Sequence, residues 1–372
     1  SDLNQIIDLN IKELSFYNNT LSPDNSNEFS YVKNFKHNKL IFINGLISKI
    51  ELDYEEQDKI EIIKNFNLNE KKNESNVLIS LNNAFLSSYI KLIVKANYSF
   101  NKPLIIYNIT NKDLNLKAIN QRMDIVLENN TNLKVLNLFD DNSNNNFINI
   151  IQNFEVGKDS IIKNYKIDHK NNTNIKYFYN NIDLQNNSVA ETFVFSKGSK
   201  FIKNEINCNL NEKFSSAFIN GIINLENFQH HEIKTNINHL AENTKSYQLI
   251  KSVLNENSKG VYQGKIYVDS KAQKTNGYQL SKALLLSKNT EFDGKPELEI
   301  YADDVKCSHG STSGNLDENA IFYLMSRGLN YKQARELLIN GFLIDVIEKI
   351  TDLDIKNLIK KFMDIKEWIF QK

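Results

Sequence analysis

Tyr177-Phe178-Tyr179, Thr192-Phe193-Val194-Phe195 and Ile219-Asn220-Gly221-Ile222-Ile223 decide the fold class. Each is a short run of aromatic and β-branched residues, the kind that packs on a pleated, half-buried surface. Polar, asparagine-bearing sequence separates them. The same texture extends back through Lys134-Val135-Leu136, Asp124-Ile125-Val126-Leu127, Leu104-Ile105-Ile106-Tyr107 and Leu92-Ile93-Val94, and forward to Leu298-Glu299-Ile300. These runs are too short and too numerous for helices. No helical pattern of roughly 10 residues intervenes to make βαβ units. A sandwich, a barrel or a solenoid remains. Recurrent Asn-rich turns favour a β-solenoid, in which stacked coils bury a continuous Ile/Leu/Val/Phe core. Only 12 glycines and the lack of a strict repeat weigh against it.

Outward from this β-rich body, periodicity marks two further zones. The region 1–75 is mixed. Leu3, Ile6, Ile7, Ile11 and Leu14 recur at helical spacing, as do Ile60, Ile62, Ile63 and Phe66, while residues 39–45 read as a strand and turn. The β body is expected over 76–315, after a short helix near Leu78–Phe85. The region 316–372 reads as helical. Asp317-Glu318 suits the positive end of a helix carrying Ile321, Phe322 and Leu324, with Gly328 as its C-cap. Ala334, Leu337, Leu338, Phe342 and Val346 continue at helical spacing, and Leu353, Ile355, Leu358, Ile359, Phe362 and Ile365 form a last amphipathic stripe. Such a tail needs its apolar faces covered by the β body or by a partner.

The chain has 372 residues, 41% hydrophobic and 24% charged, with 45 basic and 45 acidic side chains. A net charge of zero provides no field to steer it onto nucleic acid or an anionic membrane. Asparagine makes up roughly one residue in six, read here as a genomic bias without chemistry. It devalues chance glycosylation matches such as Asn108-Ile109-Thr110. Two cysteines, Cys208 and Cys307, exclude a disulfide framework and a self-contained four-cysteine site. The opening residues lack a basic stretch and an apolar core, and no run approaches the ~20 apolar residues of a membrane span. A cytoplasmic location is expected, or an organelle if a transit peptide has been removed.

From Gly260 onward the sequence becomes recognisable. Gly264-Lys265-Ile266-Tyr267-Val268 is followed by Ala272-Gln273-Lys274-Thr275, Gln279-Leu280 and Ala283-Leu284-Leu285-Leu286-Ser287. Then come residues 296–310, ending Asp303-Asp304-Val305-Lys306-Cys307-Ser308-His309-Gly310, and the blocks Phe322–Leu329 and Ala334–Phe342. In this order they resemble the SufB/SufD family of the SUF iron–sulfur cluster assembly machinery. The segment 303–310 resembles the SufD type, because the SufB type carries a glutamate-bearing sequence before its Phe-Tyr block. Weaker similarity runs through Gly198–Gly221, His230–His239 and 38–48. The family's amino-terminal tryptophan segment is not visible; the single Trp is Trp368.

The resemblance implies a right-handed parallel β-helix flanked by helical regions. It also implies pairing with a SufB-type subunit and docking of a SufC-type ABC ATPase by the carboxy-terminal helices. The chain would then be a non-catalytic scaffold with no tightly bound cofactor of its own. An iron–sulfur cluster would form transiently in the complex, ATP would sit on the partner, a reduced flavin could join the complex, and the isolated chain could form a homodimer. No GxxxxGK[ST] motif occurs, so the ATPase belongs on another polypeptide.

Cys307-Ser308-His309 is the sharpest chemical candidate. Residues two apart on a strand share a face, and thiolate and imidazole both suit iron. Two ligands cannot close a cluster site, so the others would come from the partner. A buried cysteine and a hydrogen-bonded histidine explain the same residues; the resemblance matches His309 to the family's functional histidine and raises Cys307 with it. His230, His231 and His239 read as structural, Asp303-Asp304 as a turn, and Cys208 as core. Phe322, Tyr323, Arg327, Leu337, Leu338 and Phe342 divide evenly between ATPase docking and internal packing. The rival functions are a β-helical polysaccharide lyase or hydrolase, disfavoured without an export signal, and a structural β-solenoid, which gives no reason for the helical tail.

Overall fold

The computed structural model describes residues 15–16, 32–64, 76–112 and 114–363. Short β1 (Ser15–Phe16) precedes β2 (Asn38–Ile43), β3 (Leu46–Glu51), β4 (Ile60–Ile63) and helix α1 (Val77–Ala84). Then come β5 (Ser88–Val94), β6 (Leu104–Thr110), β7 (Lys117–Leu127), β8 (Asn132–Asp141), β9 (Phe147–Val156) and β10 (Ile161–Asp168). The run continues with β11 (Ile175–Leu184), β12 (Val189–Ser196), β13 (Phe201–Leu210), β14 (Ser216–Leu225) and β15 (His230–His239). It ends with β16 (Lys245–Leu254), β17 (Lys259–Val268), β18 (Asn276–Leu285), β19 (Glu291–Ile300) and β20 (Lys306–Gly314). Helices α2 (Glu318–Ser326), α3 (Tyr331–Ile347) and α4 (Leu353–Phe362) follow.

From β5 onward successive strands alternate between two sheets, one of odd and one of even strands. The chain therefore winds as a parallel β-solenoid of about eight turns. Coils stack residue on residue: Val189, Ser216, Lys245, Asn276 and Lys306 are successive partners in the even sheet. One interior column of the odd sheet reads Ile125, Phe154, Ile182, Cys208, Ile237, Ile266 and Leu298. Burying each large apolar side chain of such a column contributes roughly 1.5–3 kcal/mol.

The corners use some of the asparagines. Every turn from an odd to an even strand, from β5 to β18, holds one residue at positive φ: Asn97, Asn130, Asp159, Asn187, Phe214, Asn243 and Lys274. Asparagine tolerates this left-handed conformation better than other residues with a Cβ. Its backbone N–H then bonds the next coil's corner, as from Asn130 to the Lys158 carbonyl (2.8 Å) and from Asn187 to the Lys213 carbonyl (3.0 Å). On the outer odd face Asn181, Asn207 and Asn236 form an amide ladder, with Nδ2–Oδ1 distances of 2.7 and 2.9 Å. Asparagine thus has a structural role at these positions, beside the compositional bias of the whole sequence. Asn108 is buried inside the solenoid.

The solenoid body extends towards the amino terminus beyond residue 76, since β2 pairs in parallel with β6. Ile60, Ile62 and Ile63, read above as helical, lie in β4 and pair antiparallel with β5. Three β-branched residues in four favour the pleated surface. Leu3–Leu14, Phe66, Ile365 and Trp368 lie outside the described residues.

The tail follows its sequence signals. Asp317 caps α2 and Gly328 takes φ 97° just past its end, while Asn330 and Gln333 form a capping box on α3. Leu343, Val346, Ile347, Ile355, Leu358, Ile359 and Phe362 pack on the outer even face against Leu136, Tyr165, Phe193 and Ile222. Thr351 Oγ1 donates to buried Glu191 (2.5 Å), and Lys251 pairs with Asp345 (2.7 Å).

The two ends of the solenoid differ. At one, β3 and β4 turn back antiparallel on β2 and β5 and blunt both sheets. At the other, β19 and β20 pair on one side only, and no described strand covers their outer edges.

Candidate functional site

Cys307 and His309 lie on β20, the uncovered edge strand of the even sheet. Their register partners on β18 are Gly277 and Gln279. Gln279 reaches across the lumen, its Nε2 donating to the carbonyls of Gly264 (3.2 Å) and Glu297 (3.4 Å) on the opposite sheet. The column it shares with His309 therefore faces inward. No described strand covers the outer edge of β20, so both side chains lie at the open mouth of the described solenoid.

Their exposures differ. Cys307 is half-buried against Ile266, Val268, Ala272 and Ala302. Gly277 leaves room for it, since a Cβ there would stand 3.3 Å from Cys307 Sγ. Burial raises the Cys307 thiol pKa above its ordinary value, partly offset by a hydrogen bond from the Gly277 backbone. His309 is exposed and makes no hydrogen bond to any described residue. Among the described residues no third His, Cys, Asp or Glu joins this pair in a group able to hold a metal ion. The rest of the mouth is small and polar: Ser281 Oγ donates to Ser311 Oγ at 2.8 Å, and a Cβ on Gly294 would come within 2.2 Å of Ser311 Oγ. Ile300 and Tyr301 add exposed apolar surface at the rim.

The other histidines are not gathered into a site. His231 points inward, its Nδ1 2.9 Å from Ser196 Oγ and its Nε2 2.8 Å from the Ser199 carbonyl oxygen. His239 is also interior, between Thr244 Oγ1 (2.7 Å) and Ser246 Oγ (2.8 Å). His230 lies on the outer face, 3.2 Å from Glu232. Burial pushes His231 down to about 3 and His239 down to about 4. Both rings are thus neutral when folded but take up protons near their ordinary pKa of 6.5 when unfolded. Their contribution is fully present above pH 6.5 and is lost as the pH falls towards the folded values. Stability should drop by up to about 1.4 kcal/mol per pH unit for each ring below pH 6, read from denaturant midpoints at pH 7, 6 and 5.

Cys208 is buried in the interior column, with its thiol pKa raised by burial. Asp303 and Asp304 lie on an exposed turn before β20. In the tail, Phe322 and Tyr323 are exposed on α2, and exposed Arg327, its C-cap, lies 5.3 Å from the Tyr323 ring. Leu337 and Leu338 are half-buried, while Phe342 packs on the even sheet with Lys251 Nζ 4.6 Å from its ring.

A cluster that pattern reading missed lies inside the solenoid. Lys176 is fully buried between Asp141 and Asp168, its Nζ 2.5 Å from Asp168 Oδ2. Burial would lower the Lys176 pKa, but the two carboxylates outweigh it and hold the ammonium charged. Burial lifts Asp168 to about 6 and presses Lys166 down to about 7; Lys166 Nζ sits 4.0 Å from the Phe178 ring centre. Charged residues in strand alternation look solvent-facing, and only the register shows that these face inward.

Residues 107–342 match the family described as SUF system FeS cluster assembly, SufBD core domain. The chain belongs to the SufBD core family. Within that family, the iron–sulfur cluster assembly protein SufD of Escherichia coli is 26% identical over 287 residues, covering 76% of this chain and 68% of that protein. A SufBD family protein of Synechocystis is 26% identical over 296 residues, covering 76% of this chain and 64% of its own length. The chloroplastic protein ABCI7 of Arabidopsis thaliana is 43% identical over 75 residues, 20% of this chain and 16% of that protein. This SufBD chain thus carries the assembly family's core, within which β20 and its Cys-x-His pair fall. No described helix is long and apolar enough to cross a membrane.

Proposed function

We propose that this SufBD chain is a non-catalytic scaffold subunit that presents His309, with Cys307 beside it, to a nascent iron–sulfur cluster at a junction with a SufB-type subunit. The observation that supports this reading is an inward-facing thiol and imidazole at the end of the solenoid that no described strand caps. Thiolate is the usual cluster ligand and imidazole an occasional substitute. The edges of β19 and β20 suit strand addition by a second solenoid, whose side chains would complete the ligand set. The cluster is cargo here, shared between subunits.

The docking site for a SufC-type ATPase is α2. Its residues Phe322, Tyr323 and Met325 are exposed while Ile321 alone is buried, an arrangement that leaves apolar surface for a groove on another protein. Phe342 serves internal packing instead. ATP would be bound and hydrolysed on that partner.

Tagged full-length chain should capture SufB- and SufC-type subunits together. Phe322→Asp should reduce ATPase capture more than about tenfold, the loss of a central aromatic anchor, and leave the SufB-type subunit bound. Undiminished ATPase capture would remove α2 from the docking surface.

A further inference from the structure

Behind His309 stands a buried amide with one unused function. Gln279, its register partner one coil deeper, is fully buried. Both bonds of its Nε2 go to backbone carbonyls, which fixes the amide orientation. Its Oε1 has no hydrogen-bond partner among the described residues. A buried acceptor without a donor is costly, so the missing donor needs identifying.

Two donors lie in the same column. Gln248, next deeper, accepts from Tyr262 Oη at 3.2 Å and leaves its own Nε2 without a partner. His309, next outward, has a ring N–H with no described acceptor. Strands in a sheet stand about 4.8 Å apart, and inward side chains of register partners lie alongside one another. We infer that Gln279 is a positioning residue for His309, its Oε1 accepting the ring N–H so that the other ring nitrogen is left as the lone-pair donor facing the mouth. A histidine that ligates metal commonly donates its second nitrogen to an oxygen acceptor, which fixes the tautomer and orients the ring. Gly264 leaves room for the amide itself, because a Cβ there would stand 2.5 Å from Gln279 Oε1 and 2.4 Å from Tyr262 Oη.

The consequence for cluster assembly rests on the role proposed for His309, but the contact itself can be read without it. In full-length chain labelled with ¹⁵N-histidine, the His309 signals are assigned by loss in His309→Gln among the six histidines. At neutral pH wild-type chain should favour one tautomer about fivefold, the bias of one net hydrogen bond. Gln279→Leu should bring the two tautomers near parity. Gln279→Glu, which keeps the acceptor, should retain the bias, and it guards against a leucine variant that fails to fold. An unchanged ring signature in folded Gln279→Leu, or loss of the bias in Gln279→Glu, would overturn the inference and leave Oε1 to Gln248. If the signature responds as expected while His309→Ala assembles clusters normally, the positioning contact stands and the proposed function falls.

Discussion

Replacing His309 with alanine is expected to leave the fold and partner capture intact and to lower cluster production in cells more than about tenfold, at least the loss seen when a supporting residue of a metal ligand is removed. The two halves of this expectation have separate causes. His309 is exposed, packs in no core cluster and makes no described hydrogen bond, so its removal should change stability by no more than about 0.5 kcal/mol. Its imidazole is nonetheless the accessible nitrogen donor at the solenoid mouth. Complementation of a strain lacking the chromosomal subunit, with melting and co-capture measured on the same variant, separates the two. Wild-type growth by the alanine variant would remove His309 from the chemistry. Cys307→Ala should differ in kind, because that thiol also fills space between Ile266 and Ala302 and its loss should affect stability as well.

The second large effect lies deeper. Lys176→Met should destabilise the chain by about 3–5 kcal/mol, the usual result of removing one partner from a buried ion cluster. Asp141 and Asp168 would remain inside the lumen with no cation between them, and each already has one carboxylate oxygen without a partner. Replacing both aspartates as well, with leucine, should recover most of the loss, because the desolvated charges disappear together. Guanidinium unfolding of the single and triple variants tests this. A single variant within 1 kcal/mol of wild type would mean that water reaches the cluster.

These two sites show what a sequence reveals of such a fold. Short runs such as Thr192–Phe195 disclosed strands, and helical spacing disclosed the tail, because both rest on local period. The stacking of coils was harder to see. Turn lengths vary, so no strict repeat appears, and the corner residue is asparagine in four of seven odd-to-even turns but Asp159, Phe214 and Lys274 in the rest. The pairing of Cys307 with His309 followed from strand alternation. Their place at an open end did not, because it depends on no described strand pairing with the outer edge of β20. Lys176 was invisible for the opposite reason: alternation gives two faces, and only packing shows which is inside. Ile60–Ile63 misled as a helix because β4 is a short terminal strand whose partner, β5, lies beyond helix α1.

In a stack whose layers support only their neighbours, resistance to local opening need not be uniform along the axis. The final layer has a described neighbour on one side alone, so its amides should exchange with solvent sooner than those at the blunted end. Under the proposed role, cargo would be met by the most breathable layer of the stack. Subunit association would supply the absent layer, so the same event that completes the ligand set would also quiet the backbone that carries it.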